Sequence, residues 1–397
     1  MKNILWICLF CLLTACAKDD KSDTLTFDPV SLTMHTREQV ALNLVDANGE
    51  SISSGITWES SAPATIEVLS GGIIRAKQTG KAIITAVYDN KTARCEVTVE
   101  PNVYMAGFQQ TDKVRTAVYW KNGQAFPLED KLGAELSQAT SIFVIGDDVY
   151  VAGYVIKNNG RNVLPVYWKN GVITLLPHGT EGRAESVFVD QENVYIAGYD
   201  GDYACYWKNG NQVVLDGTQA NTIYIVNNNV YVAGTKGSTG TYWINGLSVD
   251  LPADGTTWIN DMFISGSDVY VAGQVNMPGK QTVAQYWKNG TPVVLTDGTR
   301  EAYVDAIWID GNDVYACGGE RDAGNGDHAT YWKNGIPTVL DGTGAYDIKV
   351  LDGDVFIAGW KVVKEKMTLA LYWYNDEMIT MPNTGQEFVC ATAICVE

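Results

Sequence analysis

From Thr24 onward the chain alternates apolar and polar residues with a period of two, interrupted every few residues by glycine, asparagine or aspartate. That period puts successive side chains on opposite faces of a strand, and the interruptions supply the backbone angles that tight turns need. Residues 24–100 close on three plain strands, Gly72 to Ala76, Gly80 to Ala86 and Cys95 to Val99. Short alternating strands over about 80 residues predict a β-sandwich.

Beyond residue 100 the alternation itself repeats. Val-Tyr-Val-Ala-Gly or a near variant begins at Val103, Val149, Val194, Val230, Val269, Val314 and Val355. Tyr-Trp-Lys-Asn-Gly or a near variant begins at Tyr119, Tyr167, Tyr206, Tyr242, Tyr286, Tyr331 and Tyr372, drifting to Tyr-Trp-Tyr-Asn-Asp in the last copy. A third element, Ala-x-x-Ile-x-Val, runs from Ala139, Ala184, Ala220, Ala345 and Ala391, with variants at Ile259 and Val304. In each unit this element is strand one. A tight turn such as Gly146-Asp147 leads to strand two, Val-Tyr-Val-Ala-Gly. Strand three ends in Trp-Lys-Asn-Gly, whose Asn-Gly step is a two-residue hairpin signal because both central residues need positive φ. Strand four is the Val-Val-Leu type. Four strands per ~42 residues is the arithmetic of a β-propeller blade. The repeat opens at strand two, Val103, and ends on a lone strand one, Ala391 to Val396. The expected fold is therefore all-β: a sandwich, then a seven-bladed propeller closed by the C-terminal strand and complete as a monomer. Closure of this kind hides the two loose sheet edges.

The first residues carry an address. Lys2 precedes an uncharged apolar run, Ile4 to Leu13, too short to span a bilayer as a helix. Leu13-Thr14-Ala15-Cys16 follows. It resembles a bacterial lipobox, which implies cleavage after residue 15 and lipid on the Cys16 sulfur. Several acyl chains, at about 0.8 kcal/mol per buried methylene, anchor firmly. Cys16 followed by Lys18-Asp19-Asp20 resembles the export signal of Bacteroidetes surface lipoproteins, which implies an outer-membrane lipoprotein displayed on the cell surface. The expected divisions are 1–15 signal, 16–23 lipidated cysteine and tether, 24–100 first domain, 101–397 propeller. Ile56-Thr57-Trp58-Glu59-Ser60-Ser61, Ile66-Glu67-Val68 and the Gly72 and Gly80 strands resemble the group 2 bacterial Ig-like domain. That resemblance implies a spacer or adhesive module with Trp58 in its core. The repeat also resembles the HAF-type repeats of extracellular bacterial proteins, which share an aromatic-Trp-x-Asn-Gly hairpin and imply no activity.

Charge narrows the partners. The 397 residues carry a formal −18, so a phosphate backbone is repelled and nucleic acid is excluded as a partner. Cys95, Cys205, Cys317, Cys390 and Cys395 each lie in an apolar strand-like run and read as small buried hydrophobes. No Cys-x-x-Cys pair, calcium-loop order, Ser-His-Asp signature or phosphate loop occurs, so no metal and no cofactor is expected. The recurring turn residues Asp147, Asp148, Asn312, Asp313 and Asp354 read as turn formers.

Repetition also sorts the candidate site. Trp120, Trp168, Trp207, Trp243, Trp287, Trp332 and Trp373 occupy one repeat position, which marks them as packing between blades rather than as sugar platforms. The informative positions break the repeat. Four connections on one face vary: Tyr154 to Val163, Gln274 to Thr282, Gly319 to His328, and Trp360 to Thr368. In strand one the second residue stays polar yet changes from blade to blade: Thr140, Glu185, Asn221, Asn260, Asp305, Tyr346 and Thr392. If strand one is innermost, these side chains ring the mouth of the channel. Trp258 and Trp360 are expected on connections at the same face. The ligand-binding candidates are thus Glu185, Asn221, Asn260, Asp305, Tyr346, Trp258 and Trp360, a polar ring with aromatics suited to a sugar or peptide.

The expected function is non-enzymatic binding of a glycan or protein at the variable face. A second reading, an extracellular hydrolase or lyase, would use Glu185 and Asp305 with Asp261 or Asp347. Glycosidic chemistry needs two carboxyls within roughly 5–9.5 Å, whereas blades three apart in a ring of seven lie nearly opposite. A third reading is a scaffold subunit of a surface assembly, contacted through the outer rim.

Overall fold

Strands make up nearly all the regular structure of the computed structural model. The one helical piece among the described residues is a 3-10 turn, Ser70–Gly72. The structure describes residues 24–397 apart from 112–113, 158–159, 325, 365–366 and 383–384. The leader, Cys16 and the tether lie outside the described residues. The chain divides into two compact units, one ending at Pro101 and one running from Asn102 to Glu397.

The first unit has three small sheets. One orders Ser31–His35, Lys91–Glu100, Gly80–Tyr88 and Thr57–Ser60, with the first pair parallel and the others antiparallel. A second orders Gln39–Ala41, Ile73–Ala76 and Ile66–Val68, and a third orders Thr26–Phe27, Leu44–Val45 and Ser51–Ile52. Period-two alternation turns Ile74, Ala76, Ile84, Ala86, Cys95 and Val97 into one buried core with Phe27 and Met34. Trp58 packs half-buried against that core, 5.8 Å from the Phe27 ring. Its indole lies where a Cβ on Gly72 would stand, and Gly72 has φ 76°, so the position requires glycine twice over.

The second unit is propeller-like. Each sheet runs antiparallel in chain order from an inner strand to an outer one. An example is Gly182–Asp190, Asn193–Asp200, Tyr203–Lys208 and Asn211–Val214. Two of the four-strand sets are joined through a single parallel bridge, Arg115 to Leu136, and no sheet closes on itself. The strand Phe388–Val396 pairs antiparallel with Val103–Thr111, and Val103 stands opposite Val396. It also lies against the inner strands 136–145 and 344–351.

The Asn-Gly hairpins take the form their sequence dictates. Asn170 has φ 51° and Gly171 φ 81°, Asn209 has φ 49° and Gly210 φ 78°, as a type I′ turn demands. The asparagine then serves a second purpose. Asn209 Oδ1 accepts from Val194 N at 2.8 Å while its Nδ2 donates to Asn193 Oδ1 at 2.9 Å. Asn170, Asn289 and Asn334 repeat this with Asp148, Asp268 and Asp313. The aspartates that read as turn formers therefore tie one hairpin of the sheet to the other. The recurring tryptophans are all but fully buried, packed with residues of adjacent sheets: Trp207, for example, lies among Tyr150, Ala152 and Ala184. The five cysteines are free, and all but Cys395 are buried.

Where strand one passes its second residue, the pairing register shifts in every copy. The shift falls at Thr140, Glu185, Asn221, Asn260, Asp305, Tyr346 and Thr392. Each is a β-bulge, the extra residue standing unpaired in the ladder. The bulge presses a backbone carbonyl onto the last residue of Val-Tyr-Val-Ala-Gly. A Cβ on Gly198 would overlap Arg183 O, and one on Gly153 would overlap Gln138 O. The glycine of the repeat is thus a requirement of the bulge, not of a turn.

The variable connections are shorter than the sequence implies. Pairing continues through Tyr154 to Pro165 and Ile156 to Val163, through Arg321 to Asp327, and through Trp360 to Ala370. Alternating side chains along both arms let the ladder run on past the repeat. For the same reason Trp258 and Trp360, expected on connections, are strand residues: Trp258 pairs with Gln274 and Trp360 with Gly344.

Candidate functional site

The inner strands surround one cavity of about 330 Å³. Its lining includes all seven bulge residues. Two tiers of side chains come from the bulges, and both stitch neighbouring sheets together. Thr392 Oγ1 donates to Ala139 O at 2.9 Å, Thr140 Oγ1 to Ala184 O at 2.8 Å, and Asn260 Nδ2 to Val304 O at 2.7 Å. Asn221 Nδ2 donates likewise to Ile259 O. The next residue along accepts an amide of the following sheet. Ser141 Oγ takes Val187 N at 3.2 Å, Asp261 Oδ2 takes Ile307 N at 3.0 Å, and Asp347 Oδ2 takes Ile394 N at 2.9 Å. Asp261 and Asp347, candidate acid partners in the sequence, are therefore engaged in holding sheets together. Asp347 Oδ1 is further held by Lys349 Nζ at 2.6 Å.

Three ring members, Glu185, Asp305 and Tyr346, donate no hydrogen bond to a neighbouring sheet among the described residues. Burial pushes the Glu185 carboxyl up to about 7, against the pull of the Arg183 guanidinium. Burial alone pushes Asp305 up to about 8. Asp305 Oδ1 accepts from Asn260 Nδ2 at 3.2 Å, while Oδ2 is shielded from solvent with no partner among the described residues. Burial also raises the Tyr346 phenol. Desolvation disfavours the charged form of an acid, so at neutral pH Asp305 is mostly protonated while Glu185 is divided between its protonated and ionised forms. Asp261 is pushed up to about 6, by burial first and with Lys349 opposing.

The two candidate tryptophans do not line the cavity. Trp258 is 42% exposed, beside the ring rather than in it. The Trp360 indole fills the space over Gly344.

A third tier was not anticipated. Three residues past the bulge, Phe143, Phe188, Tyr224, Phe263 and Trp308 follow one another around the cavity, with neighbouring ring centroids 4.7–5.7 Å apart. Lys349 and Cys395 occupy the same position in the remaining two copies, and Lys349 Nζ lies 5.1 Å from the Trp308 ring. The cavity is thus polar at the bulge level and aromatic deeper in. The signal was present in the sequence as an aromatic at every fifth place of five successive copies. Among the described residues no group of three metal-ligating side chains occurs.

No family model matches the chain, and no curated protein matches it. Among solved structures it is similar to a candidate 6-phosphogluconolactonase from Bacteroides uniformis. The identity is 13%, over 75% of this chain and 99% of that one, with a TM-score of 0.45. It is similar to the β-propeller domain of the Trilobed protease from Pyrococcus furiosus, which has an open velcro topology. There the identity is 11%, over 77% and 96% of the two chains, with a TM-score of 0.42. A quinonprotein alcohol dehydrogenase-like protein from Bacteroides thetaiotaomicron gives 10% identity over 92% and 95%, at a TM-score of 0.41. Likeness at these identities and scores carries no argument about what this chain does.

Proposed function

We propose that this chain is a surface lipoprotein that binds a glycan or protein ligand without transforming it. In this reading Cys16 carries the lipid, the first unit is an Ig-like spacer, and the second is a seven-bladed propeller closed by its C-terminal strand. The register of Val103 against Val396 supports the last point. The observation that carries the binding reading is the set of bulge residues: seven copies of one backbone feature direct seven polar side chains of five types into one cavity. The positions that stitch sheets use Thr and Asn. Those that do not, Glu185, Asp305 and Tyr346, leave desolvated polar groups facing the space a ligand would fill. Such groups persist more often at sites than in frames.

A hydrolase or lyase has less support. With Asp261 and Asp347 bonded to backbone amides, only Glu185 and Asp305 remain as acids, three copies apart. The test is a glycan array and a panel of turnover assays on the purified chain and on Glu185→Ala and Asp305→Ala. Binding without turnover, weakened at least tenfold in both variants, is the expected result, equivalent to about 1.4 kcal/mol each. Turnover lost in both variants would replace this reading with the enzymatic one.

A further inference from the structure

Two arginines stand close to Glu185, a lining residue of the cavity, without lining the cavity themselves. Arg183 sits two residues before Glu185 on the same inner strand. Its guanidinium carbon lies 4.3 Å from the centre of the Tyr154 ring. The Tyr154 hydroxyl donates to Gln138 Oε1 at 2.9 Å, and Arg115 Nη1 donates to the same oxygen at 2.9 Å. Arg115 Nε donates to Gln110 Oε1 at 3.1 Å, and its guanidinium lies 4.2 Å from the Phe108 ring centre. One amide oxygen therefore links the supports of two arginines, each laid flat on an aromatic face.

Neither arginine meets a carboxylate. Among the described residues Arg75, Arg321, Lys169, Lys236, Lys288 and Lys333 all do. Arg183 and Arg115 form no ion pair with a described residue, and Arg183 Nε is buried with no partner there. In a chain with 46 acidic and 28 basic residues, two neighbouring guanidiniums held on neutral amides and rings stand out. A buried donor without a partner is costly, and a planar guanidinium fixed on an aromatic face is preorganised for a bidentate anion. The one carboxyl close by on that strand, Glu185, is disfavoured as an anion by burial and leaves the cationic character in place.

Resting on the binding reading above, we propose that Arg183, supported by Arg115, receives the carboxylate of a short acidic saccharide of the uronate class. The guanidinium fork matches a carboxylate with two parallel hydrogen bonds. Asn221 and Asn260 give their amide nitrogens to the next sheet and keep Oδ1 for sugar hydroxyls. A formal charge of −18 repels long polyanions, so the charge complementarity is local and selects a ligand with one or two carboxylates.

The test is calorimetric titration of the full chain with a glucuronate-containing disaccharide and with its carboxyl-reduced counterpart. The acidic sugar should bind at least about tenfold more tightly. Arg183→Gln should abolish that preference, bringing the two sugars to equal affinity, and Arg183→Lys should not restore it, because an ammonium lacks the fork. Arg115→Gln should narrow the preference without abolishing it. Equal affinity for the two sugars, or a preference that survives in Arg183→Gln, overturns this inference and leaves the binding reading standing. Binding of the acidic sugar that is indifferent to Arg183, Glu185 and Asp305 alike overturns both.

Discussion

Carboxyl groups occur at both ends of the second unit's sheets, and the two ends treat them in opposite ways. At the Asn-Gly end, Asp148, Asp268 and Asp313 are exposed and each accepts from one lysine and one asparagine of its own sheet. Those hydrogen bonds hold their carboxyls below the usual range. At the bulge end, Glu185 and Asp305 are desolvated, and burial drives them up to about 7 and about 8. The same residue class in the same repeat is thus closed off at one end and left wanting a partner at the other. Repetition in sequence follows the first treatment. Asn recurs at every one of these hairpins, with Lys and Gly in most of them, because one solution serves the copies, whereas the bulge position takes five residue types in seven copies. The hairpin acids are satisfied, whereas the acids of the candidate site are desolvated.

The largest expected effect breaks the frame at the point where it creates the bulge. Gly198→Val would drive a side chain into Arg183 O and the Trp207 ring. A backbone oxygen and a fully buried indole cannot both retreat, so a loss of about 3 kcal/mol is expected from denaturant melts. Wild-type stability would indicate that the bulge relaxes and does not fix the ring of side chains.

A smaller effect sharpens the contrast between the two kinds of acid. In the unfolded chain Asp305 loses its proton near 3.8, and in the folded chain near about 8. Between those values the folded state holds a proton that the unfolded state has released, so this group makes stability fall as pH rises through that window. Asp305→Asn removes the dependence. It should exceed the wild type by about 1 kcal/mol or more at alkaline pH and converge with it below about pH 4. A pH profile of melting unchanged by the substitution would mean that Asp305 is solvated. The hairpin acids have the opposite sign, their contribution disappearing as pH falls.

The smallest effect concerns the hairpin tie. Asn209→Ala loses the Val194 and Asn193 bonds and a side chain suited to positive φ, a cost of about 1 kcal/mol. Asn334→Ala should cost about the same, because each copy uses one geometry. Unequal losses by thermal melting would show that the copies are not equivalent frames.

Much of this was legible from the chain alone. Turn type follows from Asn-Gly, and burial of the tryptophans follows from their recurrence. The seven polar positions of strand one, read from the sequence as a set, line one cavity. The bulge beneath them was also written in Ala-x-x-Ile-x-Val, where buried Ala139 and Ile142 are three residues apart and therefore break a period of two. What could not be read was where each polar side chain finds its partner. Thr392 bonds a carbonyl 253 residues away, and Asp347 an amide of another sheet. Trp258 looked like part of the mouth because it does not recur. Failure to recur marks an unusual residue, not its direction, and strand pairing set Trp258 beside the ring. Arg183 escaped notice, and Tyr154 stood out only as the start of a variable connection, because their stack joins two sheets at positions that no repeat marks.

The Asn-Gly turns carry one more consequence, in chemical ageing. A glycine after asparagine leaves the backbone nitrogen open to attack the side-chain amide, which closes a succinimide, expels ammonia and leaves an aspartate or isoaspartate behind. Asparagine is among the thermolabile residues for this reason. Here both ends of the amide are held, Oδ1 by a backbone N–H and Nδ2 by an acceptor across the sheet. The turns are protected only while the hairpins stay shut. Each slow deamidation event would therefore act as a clock on local opening, and the tally of isoaspartate along the hairpins of an aged sample would rank the sheets by how often each one breathes.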